Sequence, residues 1–188
     1  MQLTGAINFI ESDVTFKDVL IEDAEAEDAL NVVQSQFEFR RLSIFRAYSD
    51  AFDSDFSKGK IVESNFTAIG GDGVDLSGSD VLLTNSVFNK IVDKAISVGE
   101  ASKLKASNIK ISESGTGVAS KDGSFSELEN ISFNEIEYFP LMAYMKKPIY
   151  GPASLKVDKV KFQDRTQKFG VAQERNNLEI NGNSITPT

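Results

Sequence analysis

The chain has 188 residues, about one domain, and 40% of them are hydrophobic, which is enough for a core and argues against bulk disorder. Its formal net charge is −8, so nucleic acid or an anionic membrane surface is not expected as a partner. Cys and His are absent, which excludes disulfides, thiolate zinc sites, His-ligated metals and catalytic arrangements built on His.

No apolar run reaches the roughly 20 residues of a membrane helix, so we expect no membrane insertion. The segment 1–4 has neither the charged nor the apolar region of a signal peptide.

An internal repeat of about 22 residues starts at Gly5 and continues to about Tyr138. When the rows are aligned, columns of like residues appear. Small residues recur at Ala6, Ala29, Ala51, Gly73, Ala95 and Gly117. Polar residues fill most of a second column, namely Asn8, Asn31, Asp53, Asp75 and Ser97. Serines recur at Ser12, Ser35, Ser57, Ser79, Ser102 and Ser124, and apolar residues at Ile21, Ile44, Phe66, Phe88, Ile111 and Phe133.

Within each row the apolar residues alternate in short clusters, and Gly, Ser, Asn and Asp lie between the clusters. This pattern is typical of short strands joined by bends. The stretch Glu22–Leu30 has helical propensity, but it falls at a row junction and is therefore predicted to be an acidic loop. Rows of this length with two or three strands predict an all-β fold, a right-handed parallel β-helix solenoid of about eight coils.

The period breaks after Tyr138. Residues 139–155 contain three of the four prolines and are predicted to hold a loop insertion of about seven residues around Lys146 to Pro152. The register returns in residues 156–188, where Val157 and Phe162 align with Leu128 and Phe133. We therefore expect a single β-helix domain over residues 1–188. Because an open β-helix end needs a cap and 1–4 is too short for one, we expect the domain to be part of a larger protein.

The rows resemble those of bacterial right-handed β-helix proteins, the superfamily of pectate lyases, polygalacturonases and alginate epimerases. Two strings carry local likeness: Asp50-Ala51-Phe52-Asp53 is similar to an Asp-Gly-Phe-Asp stretch of alginate epimerases, and Asp72-Gly73-Val74-Asp75 to an Asp-Gly-Ile-Asp stretch of polygalacturonases. The resemblance implies this fold. The superfamily includes enzymes, adhesins and accessory domains, so the resemblance leaves the function open.

Stacked carboxylates are the main candidate site. Alternation predicts that Asp53, Asp55 and Asp75 face outward, while Asp28, Asp50 and Asp72 lie at the adjoining bend. Such charges repel one another at the spacing of neighbouring coils. Three interpretations follow: screening by solvent and lysines, a bound cation, or catalysis. The predicted metal ligands are Asp50, Asp53, Asp55, Asp72 and Asp75, and Ca²⁺ is the cation that fits hard oxygen ligands.

With no His, a catalytic base would have to be Lys, Arg or Tyr. The catalytic candidates are Asp50, Asp53, Asp72, Asp75, Lys58 and Lys94, with Arg46 also nearby in sequence. Tyr144, Tyr150 and Lys146 could form a carbohydrate-binding rim on the predicted loop, although such a loop is more often a simple insertion.

The favoured function is therefore a non-catalytic module, an accessory, adhesive or carbohydrate-contacting domain of a larger exported or cell-surface bacterial protein. Its expected partners are a polysaccharide or neighbouring domains, and it requires no cofactor. The alternative is a polysaccharide lyase, epimerase or hydrolase that acts on an acidic glycan with Ca²⁺ at the carboxylates.

Overall fold

The computed structural model describes residues 3–163 and 169–188. Seventeen strands and one short 3₁₀ turn, Pro148–Tyr150, make up the described structure. The strands are β1 (Gly5–Ile10), β2 (Val14–Ala24), β3 (Asp28–Val33), β4 (Gln36–Ala47), β5 (Asp50–Asp55), β6 (Lys58–Val62), β7 (Asn65–Ile69), β8 (Val74–Ser77), β9 (Asp80–Thr84), β10 (Val87–Gly99), β11 (Lys103–Lys121), β12 (Phe125–Tyr144), β13 (Ser154–Asp158), β14 (Lys161–Phe162), β15 (Val171–Ala172), β16 (Asn177–Ile180) and β17 (Asn183–Ser184).

The strands stack in parallel from coil to coil, and the three strand segments of each coil form three faces. The first face contains β1, β3, β5, β8 and the segments of β10, β11 and β12 that follow them in register. The second face runs from the start of β2 through β6 and β9 to β13 and β16, and the third contains β7 and its partners. The predicted right-handed β-helix of about eight coils is confirmed.

Each corner is turned by a residue in the left-handed backbone region. At the corner between the second and third faces, the φ angles of Asp18, Arg41, Glu63, Asn85, Asn108, Asn130 and Lys159 lie between 53° and 57°. Asn tolerates this region better than most residues, and here its side chain also bridges coils. Asn108 donates to Asn85 at 2.9 Å, and Asn130 donates to Asn108 at 2.7 Å.

The predicted serine column forms a continuous hydrogen-bonded ladder. The backbone N–H of each serine donates to the hydroxyl of the serine one coil further on, over five steps of 2.8–3.2 Å from Ser12 to Ser124. A shorter second ladder, through Ser64 and Ser86, was not predicted. These ladders satisfy backbone donors at the corners, where strand pairing is interrupted.

The interior is filled by the predicted apolar columns. Ile21, Ile44, Phe66, Phe88, Ile111 and Phe133 lie in register on successive coils and are all buried. The rings of Phe66 and Phe88 are stacked, with centroids 4.8 Å apart. One continuous core therefore runs along the axis of the solenoid.

Two predicted boundaries differ from the structure. The stretch Glu22–Leu30 is not wholly a loop, because β2 extends to Ala24 and β3 begins at Asp28, so only residues 25–27 form the bend. The segment 139–155 assigned to the insertion starts too early, because β12 continues to Tyr144 in register with the preceding coil. The extra residues expected around 146–152 do lie in the loop between β12 and β13. Within the described residues, no helix has the length and apolar character needed to cross a membrane.

Candidate functional site

The predicted carboxylates gather on the first face, which we call the acidic face. It comprises Asp28, Asn31, Asp50, Asp53, Asp55, Asp72, Asp75 and Ser97. Within it, Asn31, Asp53, Asp75 and Ser97 occupy one outward-facing column on four successive coils. Alternation along each strand turns these side chains to the same face, and in-register parallel pairing puts those of successive coils next to one another.

Asp50 and Asp72 have a structural role at the start of the face. One oxygen of Asp50, Oδ1, accepts the backbone N–H of Asp72 at 2.7 Å, and Oδ1 of Asp72 accepts the backbone N–H of Lys94 at 2.9 Å. The Lys94 ammonium also lies 3.3 Å from Asp72 Oδ1 and 2.5 Å from Asp93 Oδ2. Each carboxylate therefore caps the backbone of the next coil through its Oδ1.

Burial makes these carboxylates resist ionisation. It raises the pKa of Asp53 from 3.8 to about 8, with further contributions from the charges of Asp55, Asp28, Asp75 and Asp50. Burial also raises the pKa of Asp72 to about 6, although the Lys94 charge opposes the shift. Burial and the neighbouring carboxylates therefore both favour the protonated form of Asp53.

Asp28, Asp50 and Asp55 follow the same trend. Burial is the largest cause of the raised pKa of each, and the charge of Asp75 raises all three further. Perturbed groups that cluster in this way are typical of functional sites.

The acidic face also contains the unsatisfied polar atoms of the protein. Four buried side-chain oxygens among residues 3–163 and 169–188 have no hydrogen-bond partner, namely Asp28 Oδ2, Asn31 Oδ1, Asp75 Oδ1 and Ser97 Oγ. All four belong to this face, although buried polar residues occur throughout the solenoid. Because an unpaired buried acceptor destabilises the folded state, their concentration makes this face the candidate site for a donor or a cation.

Lysines neutralise only the later coils of the face. Lys121 Nζ lies 3.8 Å from Asp75 Oδ1, close enough for an ion pair but too far for a hydrogen bond. Its aliphatic chain passes over Gly99, where an added Cβ would be 2.8 Å from Lys121 Cε. A third lysine, Lys147, pairs with Glu100 at the edge of the face.

The loop that carries Lys147 is held by one buried carboxylate. Asp122 is 1% exposed, and its Oδ1 accepts the backbone N–H groups of Lys146 and Lys147. The loop is thereby fixed beside the acidic face, within reach of Glu100.

All four tyrosines of the chain lie on this face or at its edges. Tyr48 and Tyr138 are at the corner that precedes the face and are 78% and 58% exposed. Tyr144 ends β12 on the face itself, and burial raises its pKa. Tyr150 lies in the 3₁₀ turn beside Gly123 and is 42% exposed. Sequence reasoning singled out Tyr144 and Tyr150 but missed the other two.

Two predicted site residues lie elsewhere. Lys58 begins β6 on the second face, where its ammonium is 3.8 Å from Asp80 Oδ2, so its place among the catalytic candidates is wrong. Arg46 pairs with Asp23 and Glu22 at a corner of the third face. Lys146 is exposed on the loop, where its backbone N–H rather than its side chain makes the contact with Asp122.

Of the five predicted metal ligands, three converge. Carboxylate oxygens of Asp50, Asp72 and Asp75 lie within 4.8 Å of one another. Asp53 and Asp55 stand beside this group in the strand register. The arrangement offers few free oxygens to Ca²⁺, which takes six to eight, because Asp50 and Asp72 already use one each.

A concave surface of about 780 Å³ lies on the second face. It is lined by residues such as Leu82, Lys105, Glu127, Lys156 and Glu179. Its charges are largely paired, with Lys105 Nζ 3.7 Å from Glu127 Oε2 and Lys156 Nζ 3.6 Å from Glu179 Oε2. We therefore interpret it as a solvated ladder of ion pairs, and the acidic face remains the candidate site.

Fold and site together define a parallel β-solenoid with one chemically distinct face. A family model described as a right-handed β-helix region matches residues 50–187, so the chain belongs to this family. A comparison with curated proteins and one with solved structures each gave no match.

Proposed function

We propose that the chain is a non-catalytic β-helix module that contacts carbohydrate through its acidic face. The observation that carries this proposal is the placement of all four tyrosines on or beside that face, whereas the phenylalanines mostly fill the core. Tyrosine combines a flat apolar ring with a polar hydroxyl, a combination suited to stacking on a sugar ring while bonding its hydroxyls. The setting, a larger exported or cell-surface bacterial protein, stays a prediction from the sequence.

The proposal is tested on an array of plant and bacterial oligosaccharides. The double variant Tyr48→Ala/Tyr138→Ala is compared with wild type and with Phe125→Ala, a matched control that removes an exposed ring from another face. If each stacked ring contributes on the order of 1 kcal/mol, the double variant binds at least tenfold more weakly. No glycan binding by wild type, or equal loss in the control, contradicts the proposal.

A second candidate is a calcium-assisted lyase, epimerase or hydrolase acting on an acidic glycan. The convergence of Asp50, Asp72 and Asp75 within 4.8 Å favours it. A bound cation at 100 times its dissociation constant would stabilise the fold by about 2.7 kcal/mol. Thermal melts with millimolar Ca²⁺ and with EDTA should then differ in wild type and coincide in Asp75→Asn. Coincident wild-type melts would remove this candidate.

A further inference from the structure

Two lysines of the acidic face show which chemical group its carboxylates pair with. Lys94 and Lys121 each bring a primary ammonium to a carboxylate, one at Asp72 and the other at Asp75. Both lysine side chains are largely buried, with 16% and 13% of their surface exposed. The repeat thus places a primary ammonium against a carboxylate of this face twice.

Both lysine contacts are made to the coil that carries Asp72 and Asp75, and neither recurs on the preceding coil. One coil earlier, the position equivalent to Lys94 is occupied by Asp72, so Asp50 receives no ammonium. The position equivalent to Lys121 is Gly99, which has no side chain, so Asp53 receives none either. The coil before Asp72 and Asp75 therefore has carboxylates at these positions but lacks the lysines that would pair with them.

The carboxylate groups around Asp50 match the donors of a primary ammonium in number. A primary ammonium has three N–H donors, and oxygens of Asp50, Asp72 and Asp75 lie within 4.8 Å of one another. Beside this group, Asp28 Oδ2 and Ser97 Oγ have no hydrogen-bond partner, and these two residues are 3% and 0% exposed. These unpartnered atoms are evidence for a ligand independent of the acidic charge itself.

We propose that the acidic face binds the ammonium group of an amino sugar, held by the carboxylates of Asp50, Asp72 and Asp75. The inference rests on the proposed function, because the tyrosines at the edges of the face are what favour a sugar over another amine. It narrows the ligand class to glycans with free amino groups. An acidic glycan would instead meet uncompensated carboxylates and be repelled.

The test is isothermal titration at pH 6 in EDTA with a β-1,4-linked glucosamine tetramer, whose amines are protonated there, and with its fully N-acetylated counterpart. Charge-assisted hydrogen bonds of this kind correspond to roughly 10- to 100-fold tighter binding of the free amine. Asp75→Asn should bring the two ligands to equal affinity. Asp80→Asn, which changes an exposed carboxylate on another face, should leave the difference intact.

A second variant introduces the missing donor. Gly99→Lys places an ammonium one coil before Lys121, and only the flexible end of the Lys121 side chain must move to admit its Cβ. The added lysine should abolish the preference for the free amine. Gly99→Ala adds the same Cβ without the charge and should keep the preference.

The outcomes separate this inference from the function on which it rests. Equal binding of both tetramers overturns the ammonium site and leaves carbohydrate contact standing. Equally tight binding of spermine, unaffected by Tyr48→Ala/Tyr138→Ala, contradicts the sugar and with it the proposed function. A retained preference for the free amine in Asp75→Asn and in Gly99→Lys would also overturn the assignment.

Discussion

Replacing Asp53 by Asn should stabilise the protein at neutral and alkaline pH. Asp53 has its pKa raised by burial from 3.8 to about 8, so at pH 7 the folded chain keeps a proton that the unfolded chain releases. At 1.36 kcal/mol per pKa unit, the interval between 3.8 and 7 corresponds to about 4 kcal/mol of lost stability. For a domain of this size, removing that loss raises the melting temperature by on the order of 10 °C.

The sign of the pH dependence follows from the same shift. Because the pKa of Asp53 is higher in the folded state, folded wild type binds more protons than unfolded wild type between about pH 4 and 8. This group therefore makes wild type more stable as the pH falls through that interval. The advantage of Asp53→Asn should shrink to less than about 1 kcal/mol at pH 4.

Thermal melts of Asp53→Asn and wild type at pH 8, 6 and 4 check this reasoning. Asp80→Asn is the control, because Asp80 is exposed and pairs with exposed Lys58, so the melting temperature of this variant should stay close to that of wild type. A lower melting temperature for Asp53→Asn at pH 8 would refute the reasoning. So would a gain that does not diminish between pH 8 and pH 4.

Three further substitutions test the solenoid itself. Phe66→Ala empties a fully buried position of the core and should lower the free energy of unfolding in urea by about 3–5 kcal/mol; a loss below 1 kcal/mol would contradict the packing. Ser79→Ala removes the hydroxyl that accepts a buried N–H from the preceding coil and should cost about 1–3 kcal/mol, again by urea denaturation. Asp122→Ala should speed amide hydrogen exchange at Lys146 and Lys147 while core amides keep their protection; unchanged exchange there would show that the loop has another anchor.

The fold could be predicted because the sequence of a solenoid repeats the same residue types at equivalent positions of each coil. A single Ser or Asn between apolar clusters is weak evidence, but six serines at one column position predict a ladder, and the hydrogen bonds from Ser12 to Ser124 form it. Asn85, Asn108 and Asn130 recur in the same way at one position of the repeat, and each has a positive φ angle at a corner.

The details of the site were harder to predict because they depend on corners and on side-chain direction. Lys58 is only five residues from Asp53, yet the corner after Asp55 carries it to another face. Lys121 reaches back two coils over Gly99 to Asp75, a direction along the solenoid axis that no column of one-letter codes displays. Neither outcome could be read from distances along the chain.

The repeat also separates carboxylates that the fold uses from those that it does not. Asp50 and Asp72 cap the backbone of the next coil, so their presence has a structural reason. Asp53 and Asp75 stand in a column whose neighbouring coils carry the neutral Asn31 and Ser97, so the coil does not require a charge at this position. At Asp53 the charge also opposes folding, because burial raises the pKa of this carboxyl. The coil geometry therefore does not require an acid at Asp53 or Asp75, and the proposed binding of a ligand by the acidic face supplies a reason for it.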